Sequence, residues 1–223
     1  SRPMHSHRDR GPALRGATLA ALHTQGLRLR SAGGELRTDV RATEDPAQLG
    51  PQNLVVVAVK GPAMPDVAAR IAPLLGPDTM VLTAMNGVPW WFFSGMPGPC
   101  AGLALRTLDP AGTIAAAIPF RHVIGCVVHA SCKSPEPGVV QHVMGQGLII
   151  GEPAGGDSPR VTALATALVD AGCASLRVAA RRPERAHALA LRLRNLAPGR
   201  AVEADESWPP AAGRSRWAAT TRS

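Results

Sequence analysis

The strongest pattern of apolar positions consists of two short hydrophobic runs, residues 54–59 and 80–85, on either side of a helical segment. Both runs are continuous and aliphatic, which is typical of strands that are buried on both faces. Between them, residues 65–75 carry apolar side chains at helical spacing, and Pro73 predicts a kinked or shortened last turn. This part of the chain therefore predicts a βαβ unit.

Polar side chains follow both predicted strands, at Lys60 and at Asn86. A crossover of this length makes the two strands parallel and neighbouring, so both residues are expected at the same edge of the sheet. Ligands of open α/β sheets bind at the carboxyl ends of the strands, and both residues are therefore candidate ligand contacts. Position alone is equally typical of a solvated lysine at Lys60 and of an Asn-Gly turn at Asn86.

The rest of the pattern predicts an antiparallel extension of the parallel sheet. A helix is expected at 16–25, followed by a hairpin of strands at 27–31 and 35–40 around a glycine turn. The later predicted elements are a helix at 112–118, strands at 123–132, 139–144 and 148–151, a helix at 158–170 that opens with Ser158-Pro159, and a strand at 175–178. The consecutive strands after residue 123 must be antiparallel, because only short turns join them. The fold class is therefore α/β.

Four adjacent aromatic residues, 90–93, form the densest aromatic cluster in the chain. Such a cluster is more often a core or interface plug than a stacking surface for a substrate. Its position just after Asn86 also allows it to wall a ligand pocket. Both interpretations remain open at this point.

The chain of 223 residues has a net charge of +8, but the excess of basic residues lies at its two ends. Residues 51–178 carry seven basic and seven acidic side chains, so the organised middle is neutral. A nucleic-acid interface would require a basic groove on the folded part, and none is expected there. No apolar run is long enough to cross a bilayer, so we expect a cytoplasmic protein with no membrane or nucleic-acid partner.

The four cysteines contain no C-x-x-C pair, which argues against a zinc site. Cys126, His129, Cys132 and His142 resemble a metal set only superficially, because strand alternation places His129 on the face opposite the two cysteines. Buried free thiols and no metal are the expectation.

The two ends of the chain lack a periodic pattern. Residues 1–13 are expected to be a loop or disordered. Residues 179–223 are expected to be a basic tail, with one helix at 183–195 and no fixed structure over 196–223. The organised domain is expected to span residues 14–178.

Five segments follow one another in order between about residues 14 and 178: R-G-A-x-L-A-A-L…G-L-R-L, V-A-V-K, M-N-G-V, V-I-G-C-V-V-H-A and P-G-V-V…H-x-x-G…I-G-E-P. In this order they resemble the NADPH-dependent ketopantoate reductase (2-dehydropantoate 2-reductase) family. The resemblance implies a Rossmann-like NADP-binding domain followed by a helical domain, with the active site between them. It also implies reduction of 2-dehydropantoate, a 2-oxo acid, to pantoate on the route to pantothenate and coenzyme A.

The resemblance assigns roles to four residues of this chain. Arg15 matches the arginine that pairs with the 2′-phosphate of NADPH, a contact suited to a guanidinium. Lys60 matches a lysine that contacts the cofactor, and Asn86 matches an asparagine near the nicotinamide that also contacts substrate. Ser131 falls where the family contacts the cofactor through its backbone.

Two departures from the family pattern stand beside these matches. The G-x-G-x-x-G loop and its strand, the first βα unit, are absent before Arg15. The family's proton-donating lysine lies in the helical domain, yet no lysine follows Lys133, and Arg194 would hold its proton too tightly to replace it. No catalytic residue is therefore identified.

These departures predict an incomplete reductase, cut or read out of frame at both ends and inactive or impaired. Loss of the first strand is expected to leave a neighbouring strand edge unpaired. The alternative is a non-catalytic nucleotide-binding or interaction protein derived from the same fold. The sequence leaves the oligomeric state open.

Overall fold

The computed structural model describes residues 16–156, 158–171, 175–179, 190 and 201–205. Its α-helices are α1 (Gly16–Gln25), α2 (Met64–Arg70), α3 (Thr113–Ala117) and α4 (Pro159–Asp170). Its strands are β1 (Leu27–Ser31), β2 (Gly34–Thr38), β3 (Gln52–Val57), β4 (Leu75–Ala84), β5 (Val123–Lys133), β6 (Val139–Gly151), β7 (Ser175–Ala179) and β8 (Ala201–Asp205).

One mixed sheet contains all the described strands, with the central order β2-β1-β6-β5-β4-β3. The β3–β4 and β4–β5 pairs are parallel and the β5–β6 pair is antiparallel, so the predicted parallel sheet with an antiparallel extension is confirmed. β7 pairs with β6 and β8 pairs with β7, both in parallel. The hairpin β1–β2, also predicted, joins the sheet by pairing β1 in parallel with β6.

The βαβ unit forms as its pattern predicts, but its strands are shifted: β3 spans Gln52–Val57 instead of 54–59, and β4 starts before the predicted run. Helix α2 ends at Arg70 and a 3₁₀ turn contains Pro73, because proline cannot continue the α-helical hydrogen bonds. β4 begins at Leu75, five residues before the predicted run. The Thr79 hydroxyl accepts from the Gly76 N–H at 2.7 Å and donates to the Gln52 carbonyl at 2.6 Å, which fixes this stretch beside β3.

The predicted strands 139–144 and 148–151 are one strand, β6. The register with β5 shifts twice between His129 and Cys132, so β6 passes through bulges instead of turning. Gly145 has a φ of +75°, and a Cβ at this position would clash with the His129 carbonyl oxygen. Glycine at this bulge is what allows the strand to continue.

The core lies on both faces of the sheet, because adjacent residues of the central strands point in opposite directions. Leu82 and Ile124 belong to a cluster on the α4 face, whereas Val81 and Val123 belong to a cluster with α2 and α3 on the other face. All four side chains are at least 97% buried. This double burial explains the continuous apolar runs in the sequence.

The expectation of no fixed structure over 196–223 is wrong for five residues. Residues 201–205 form β8, which is held by main-chain pairing with β7. Because main-chain pairing requires no hydrophobic period, the sequence pattern did not indicate this strand. The predicted helix at 183–195 lies outside the described residues except for Ala190, which is helical and buried in the core on the α4 face. Residues 1–13 also lie outside the described part.

The helices in the described residues are all too short or too polar to cross a membrane.

Candidate functional site

The carboxyl edge of β3 and β4 forms the candidate site. The two strands pair in parallel, with Val57 opposite Thr83 near their carboxyl ends. Lys60 follows β3 by three residues and Asn86 follows β4 by two, so both leave the same edge of the sheet. The geometric basis of the sequence prediction is therefore present.

Lys60 lies at this edge as an exposed cation. Its backbone is extended (φ −75°, ψ 149°), and it directly precedes a 3₁₀ turn that leads into α2. No salt bridge to Lys60 occurs among the described residues. Its ammonium group is therefore available to a negatively charged ligand.

Asn86 is held rigidly at the same edge by its own carboxamide. Its Nδ2 donates to the Val128 carbonyl at 2.9 Å, and its Oδ1 accepts from the Val128 N–H at 2.9 Å. The ladder between β4 and β5 ends at the pair of Ala84 with Cys126, so the carboxamide continues the pairing after the β4 backbone has turned away. The second amide hydrogen and the remaining oxygen lone pairs are left for a ligand.

Ser131, one of the four predicted site residues, is not brought to this point. Ser131 is exposed and pairs with Met144 at the β6 bulge, three residues beyond Val128. At the rise of a β-strand this places it roughly 10 Å further along β5. Arg15 lies outside the described residues, so its predicted contact stays a prediction.

The aromatic cluster belongs mainly to the core. Trp90 and Trp91 are each 7% exposed and pack in the cluster on the α2 and α3 face. The Phe92 and Phe93 rings meet edge to face, with centroids 5.1 Å apart. The core interpretation of the cluster is confirmed for the two tryptophans, which anchor the loop that follows Asn86.

A shallow depression of about 510 Å³ lies at the opposite end of the sheet. It is formed near the amino ends of β4 and β5, where Leu75, Gly76, Arg121 and His122 are among its lining residues. Because β4 and β5 are parallel, these residues are separated from Lys60 and Asn86 by the length of the strands. We therefore assign the candidate site to the carboxyl edge and not to this depression.

An ion pair that the sequence did not reveal secures the start of β5. Arg160 binds Glu152 through two hydrogen bonds of 2.7 and 2.6 Å, and it also donates to the carbonyls of Arg121 and Val123. Burial raises the pKa of Glu152, but hydrogen bonds from Arg160 and Ser158 and the charge of Arg160 outweigh it and lower the pKa overall. No sequence signal predicts this pair, because the two residues meet only after α4 packs.

The cysteines differ partly from expectation. Cys126 is buried, and burial raises the pKa of its thiol to about 12. Cys100 and Cys132 are exposed, so the expectation of buried thiols is wrong for these two. Cys132 lies in the exposed final part of β5. Among the described residues no three His, Cys, Asp or Glu side chains gather as a metal site would require.

Replacing Asn86 with alanine is expected to lower the free energy of unfolding by about 1 kcal/mol, because two hydrogen bonds at an exposed site are lost. Urea denaturation measures this change. Amide hydrogen exchange should also show faster exchange at Val128, whose N–H loses its acceptor. Asn53→Ala is the matched control, because Asn53 is an exposed asparagine on β3 whose side chain makes no hydrogen bond to another described residue. Unchanged exchange at Val128 would contradict the assigned bond.

The fold and the site together define a Rossmann-like α/β protein with candidate ligand contacts at the carboxyl edge of its parallel strands. The model of the family described as "Ketopantoate reductase PanE/ApbA" matches residues 8–155. The chain therefore belongs to the ketopantoate reductase family, as its sequence motifs indicated.

Individual relatives agree with this membership. The chain is 44% identical over 158 residues to a 2-dehydropantoate 2-reductase of Mesorhizobium japonicum, a match that covers 71% of this chain and 48% of the relative. It is similar, with 47% identity and a TM-score of 0.69, to the structure of a candidate ketopantoate reductase from Ralstonia solanacearum MolK2, over 88% of this chain and 52% of that one. A 2-dehydropantoate 2-reductase from Geobacter metallireducens gives 25% identity and a TM-score of 0.60, over 75% and 49%. The chain thus spans about half the length of these relatives.

Proposed function

We propose that this chain carries the cofactor-facing edge of an NADPH-dependent reductase that converts 2-dehydropantoate to pantoate. The observation that carries the proposal is the delivery of Lys60 and Asn86 to one sheet edge by parallel strands, in a chain of the ketopantoate reductase family. The name of the 44% identical relative supports the choice of substrate.

The residues at this edge fit a phosphorylated dinucleotide. The exposed Lys60 ammonium is suited to phosphate, and Asn86 offers a donor and an acceptor that are suited to a carboxamide. When bound, NADPH would supply the hydride for the reduction of a ketone. Arg15 is proposed to bind the 2′-phosphate of NADPH. Because NADH lacks this phosphate, such a contact would select NADPH over NADH.

Asn86 would act by position. Its two bonds to Val128 hold the carboxamide in one orientation, so the free amide hydrogen points to a fixed place at the edge. We propose that this group contacts both the nicotinamide and the 2-oxo acid and limits their approach to one geometry. Ser131 is proposed only as a backbone contact for a more distant part of the cofactor.

No general acid for the developing alkoxide is assigned. The sequence contains two lysines, Lys60 and Lys133, and neither lies in a helical segment after the sheet. We therefore propose that the chain as given binds NADPH weakly and does not turn over 2-dehydropantoate.

The three described cysteines are free thiols, which supports a cytoplasmic location.

Titration of the chain with NADPH, followed by calorimetry, tests the binding edge. Lys60→Ala is expected to weaken NADPH binding about tenfold, equivalent to about 1.4 kcal/mol, because a phosphate contact is lost. Arg37→Ala is the matched control, since it removes an exposed cation on β2, at the opposite side of the sheet from β3, and it should leave the affinity unchanged. Equal effects of the two variants would overturn the assignment of Lys60.

Loss of NADPH absorbance on addition of 2-dehydropantoate tests turnover separately. Binding without turnover is the expected result, and it leaves the non-catalytic nucleotide-binding protein as the alternative for this chain. Measurable turnover would show that a proton donor exists outside the residues considered above.

A further inference from the structure

The depression at the amino ends of β4 and β5 has the composition of a small-molecule site. Its volume of about 510 Å³ lies within the range of roughly 300–1,000 Å³ that is typical of ligand pockets. All but two of its lining residues are alanine, leucine, proline or glycine, and these two are Arg121 and His122. An apolar wall with a few polar groups close together is the usual arrangement around one small molecule.

Two described segments form the walls of the depression. Residues 72–77 contain the 3₁₀ turn after α2 and the start of β4, and residues 116–122 connect α3 to β5. β4 lies between its neighbours β3 and β5, with which it pairs on both sides. The walls are therefore formed without the outer edge of β3 and without either end of the chain.

His122 is a buried residue with one ring nitrogen left unbonded. It is 3% exposed, and its Nδ1 lies 2.8 Å from the Thr79 carbonyl oxygen. Because a carbonyl oxygen can only accept, Nδ1 carries a proton and donates it, and Nε2 of the neutral ring keeps a lone pair. Nε2 forms no hydrogen bond to another described residue. A ligand that can donate a hydrogen bond would satisfy it.

The position of Nε2 allows a ligand to reach it. In the described residues, the side-chain nitrogens that are fully enclosed and unpartnered are Arg28 Nε and Trp91 Nε1, so Nε2 of His122 is not fully enclosed. The two ring nitrogens point in nearly opposite directions, and Nδ1 points at β4. Nε2 therefore faces away from the strand and into the depression that the ring lines.

Arg121 adds a cation beside this nitrogen. It is exposed, and its guanidinium forms no salt bridge with a described carboxylate. Its main-chain carbonyl accepts a hydrogen bond from Arg160, which holds the residue in place. A guanidinium binds a carboxylate through two parallel hydrogen bonds, so the anionic group of a ligand is expected beside Arg121.

We propose that the depression binds a small aliphatic hydroxy acid. The carboxylate pairs with the Arg121 guanidinium, the hydroxyl donates to His122 Nε2, and the aliphatic part covers Leu75 and the neighbouring alanines. The two polar side chains are adjacent in the chain, so one small molecule reaches both. A fatty acid lacks the hydroxyl and an alcohol lacks the carboxylate, so the pair selects molecules that carry both groups.

This second site is separate from the carboxyl edge. β4 and β5 are parallel, so the depression at their amino ends is separated from Lys60 and Asn86 by the length of the strands. The proposal therefore does not rest on the reductase function.

NMR titration of the chain with 2-hydroxyisovalerate and with isovalerate tests the proposal. The two acids differ only in the hydroxyl, so isovalerate should bind about tenfold more weakly. Arg121→Gln should weaken the binding of both acids about tenfold, because both use the carboxylate. Arg37→Gln is the matched control, since it removes an exposed cation on β2, and both affinities should stay unchanged. Equal affinities for the two acids, or no binding of the hydroxy acid, would overturn the proposal.

His122→Asn separates the ligand contact from the structural bond of the histidine. An asparagine amide can replace Nδ1 as the donor to Thr79, but it has no atom at the position of Nε2. This variant should bind both acids equally, with the affinity that isovalerate has for the original chain. Near-ultraviolet circular dichroism checks that the variant is folded. A preference for the hydroxy acid that survives the change would contradict the assigned hydrogen bond.

The His122 ring gives a further readout that needs no variant. In the original chain, the Nε2 resonance should shift when 2-hydroxyisovalerate is added, and it should shift much less with isovalerate. Shifts at Lys60 and Asn86 with an unchanged His122 signal would place the acid at the carboxyl edge, and they would overturn the second site.

Discussion

Replacing Ile124 with alanine is expected to lower the free energy of unfolding by about 4 kcal/mol, one of the largest effects available in this chain. Ile124 is fully buried in the central strand β5 and packs in the core cluster that α4 covers. Removal of its side chain loses the favourable free energy of transferring those apolar atoms from water to the core. It also loses the van der Waals contacts that they make with their neighbours. The neighbours cannot collapse freely into the space, because β5 is hydrogen-bonded on both sides.

Urea denaturation followed by circular dichroism measures this loss. Leu36→Ala is the control, because Leu36 is 69% exposed on the edge strand β2 and its removal should cost less than about 0.5 kcal/mol. A similar loss for the two variants would mean that β5 is not the centre of the core.

Replacing Glu152 with glutamine is expected to lower the free energy of unfolding by about 2–3 kcal/mol at neutral pH. The change weakens two charge-assisted hydrogen bonds and leaves the Arg160 charge without its partner. Because folding lowers the pKa of Glu152 below its ordinary value of 4.5, this stability is fully present above that value. It is lost as the pH falls through the lower pKa of the folded protein.

Denaturation of both proteins between neutral and acidic pH measures the effect. The difference between the original chain and Glu152→Gln should be constant above the ordinary pKa and shrink as the carboxylate is protonated. Glu35→Gln is the control, since Glu35 also pairs with an arginine but is exposed on β2. Its effect should be smaller and should disappear with added salt. A pH-independent difference for Glu152→Gln would contradict the ion pair.

Local rules were sufficient for most elements of the fold. The cap at Ser158 with Pro159 placed the start of α4, and the Ser158 hydroxyl accepts from the Val161 N–H at 3.3 Å. Pro73 ended α2 as expected. The rules failed at β6, because its bulges depend on pairing with the partner strand β5. They also failed at β8, because its main-chain pairing with β7 requires no hydrophobic period.

The candidate site was predicted in part for the same reason. The edge on which Lys60 and Asn86 lie follows from two buried strands and one crossover, all visible in the sequence. The hydrogen-bond partner of Asn86 could not be predicted from the sequence. Val128 is 42 residues away along the chain, and it contacts Asn86 only through its main chain. The sequence motif also did not indicate that Ser131 lies further along β5 than Val128, the residue that Asn86 contacts.

The sequence by itself determined the alternation of strands and helices, the parallel direction of β3 and β4, and the family. These depend on local hydrophobic period, on proline and glycine positions, and on motifs that are contiguous in the chain. The tertiary structure decided how the hairpin joins β6, which hydrogen bonds hold Asn86, and which carboxylate pairs with Arg160. Each of these depends on main-chain groups or ion pairs that lie far apart in the sequence and meet only in the folded chain. The side chains near each group in the sequence therefore do not predict its partner.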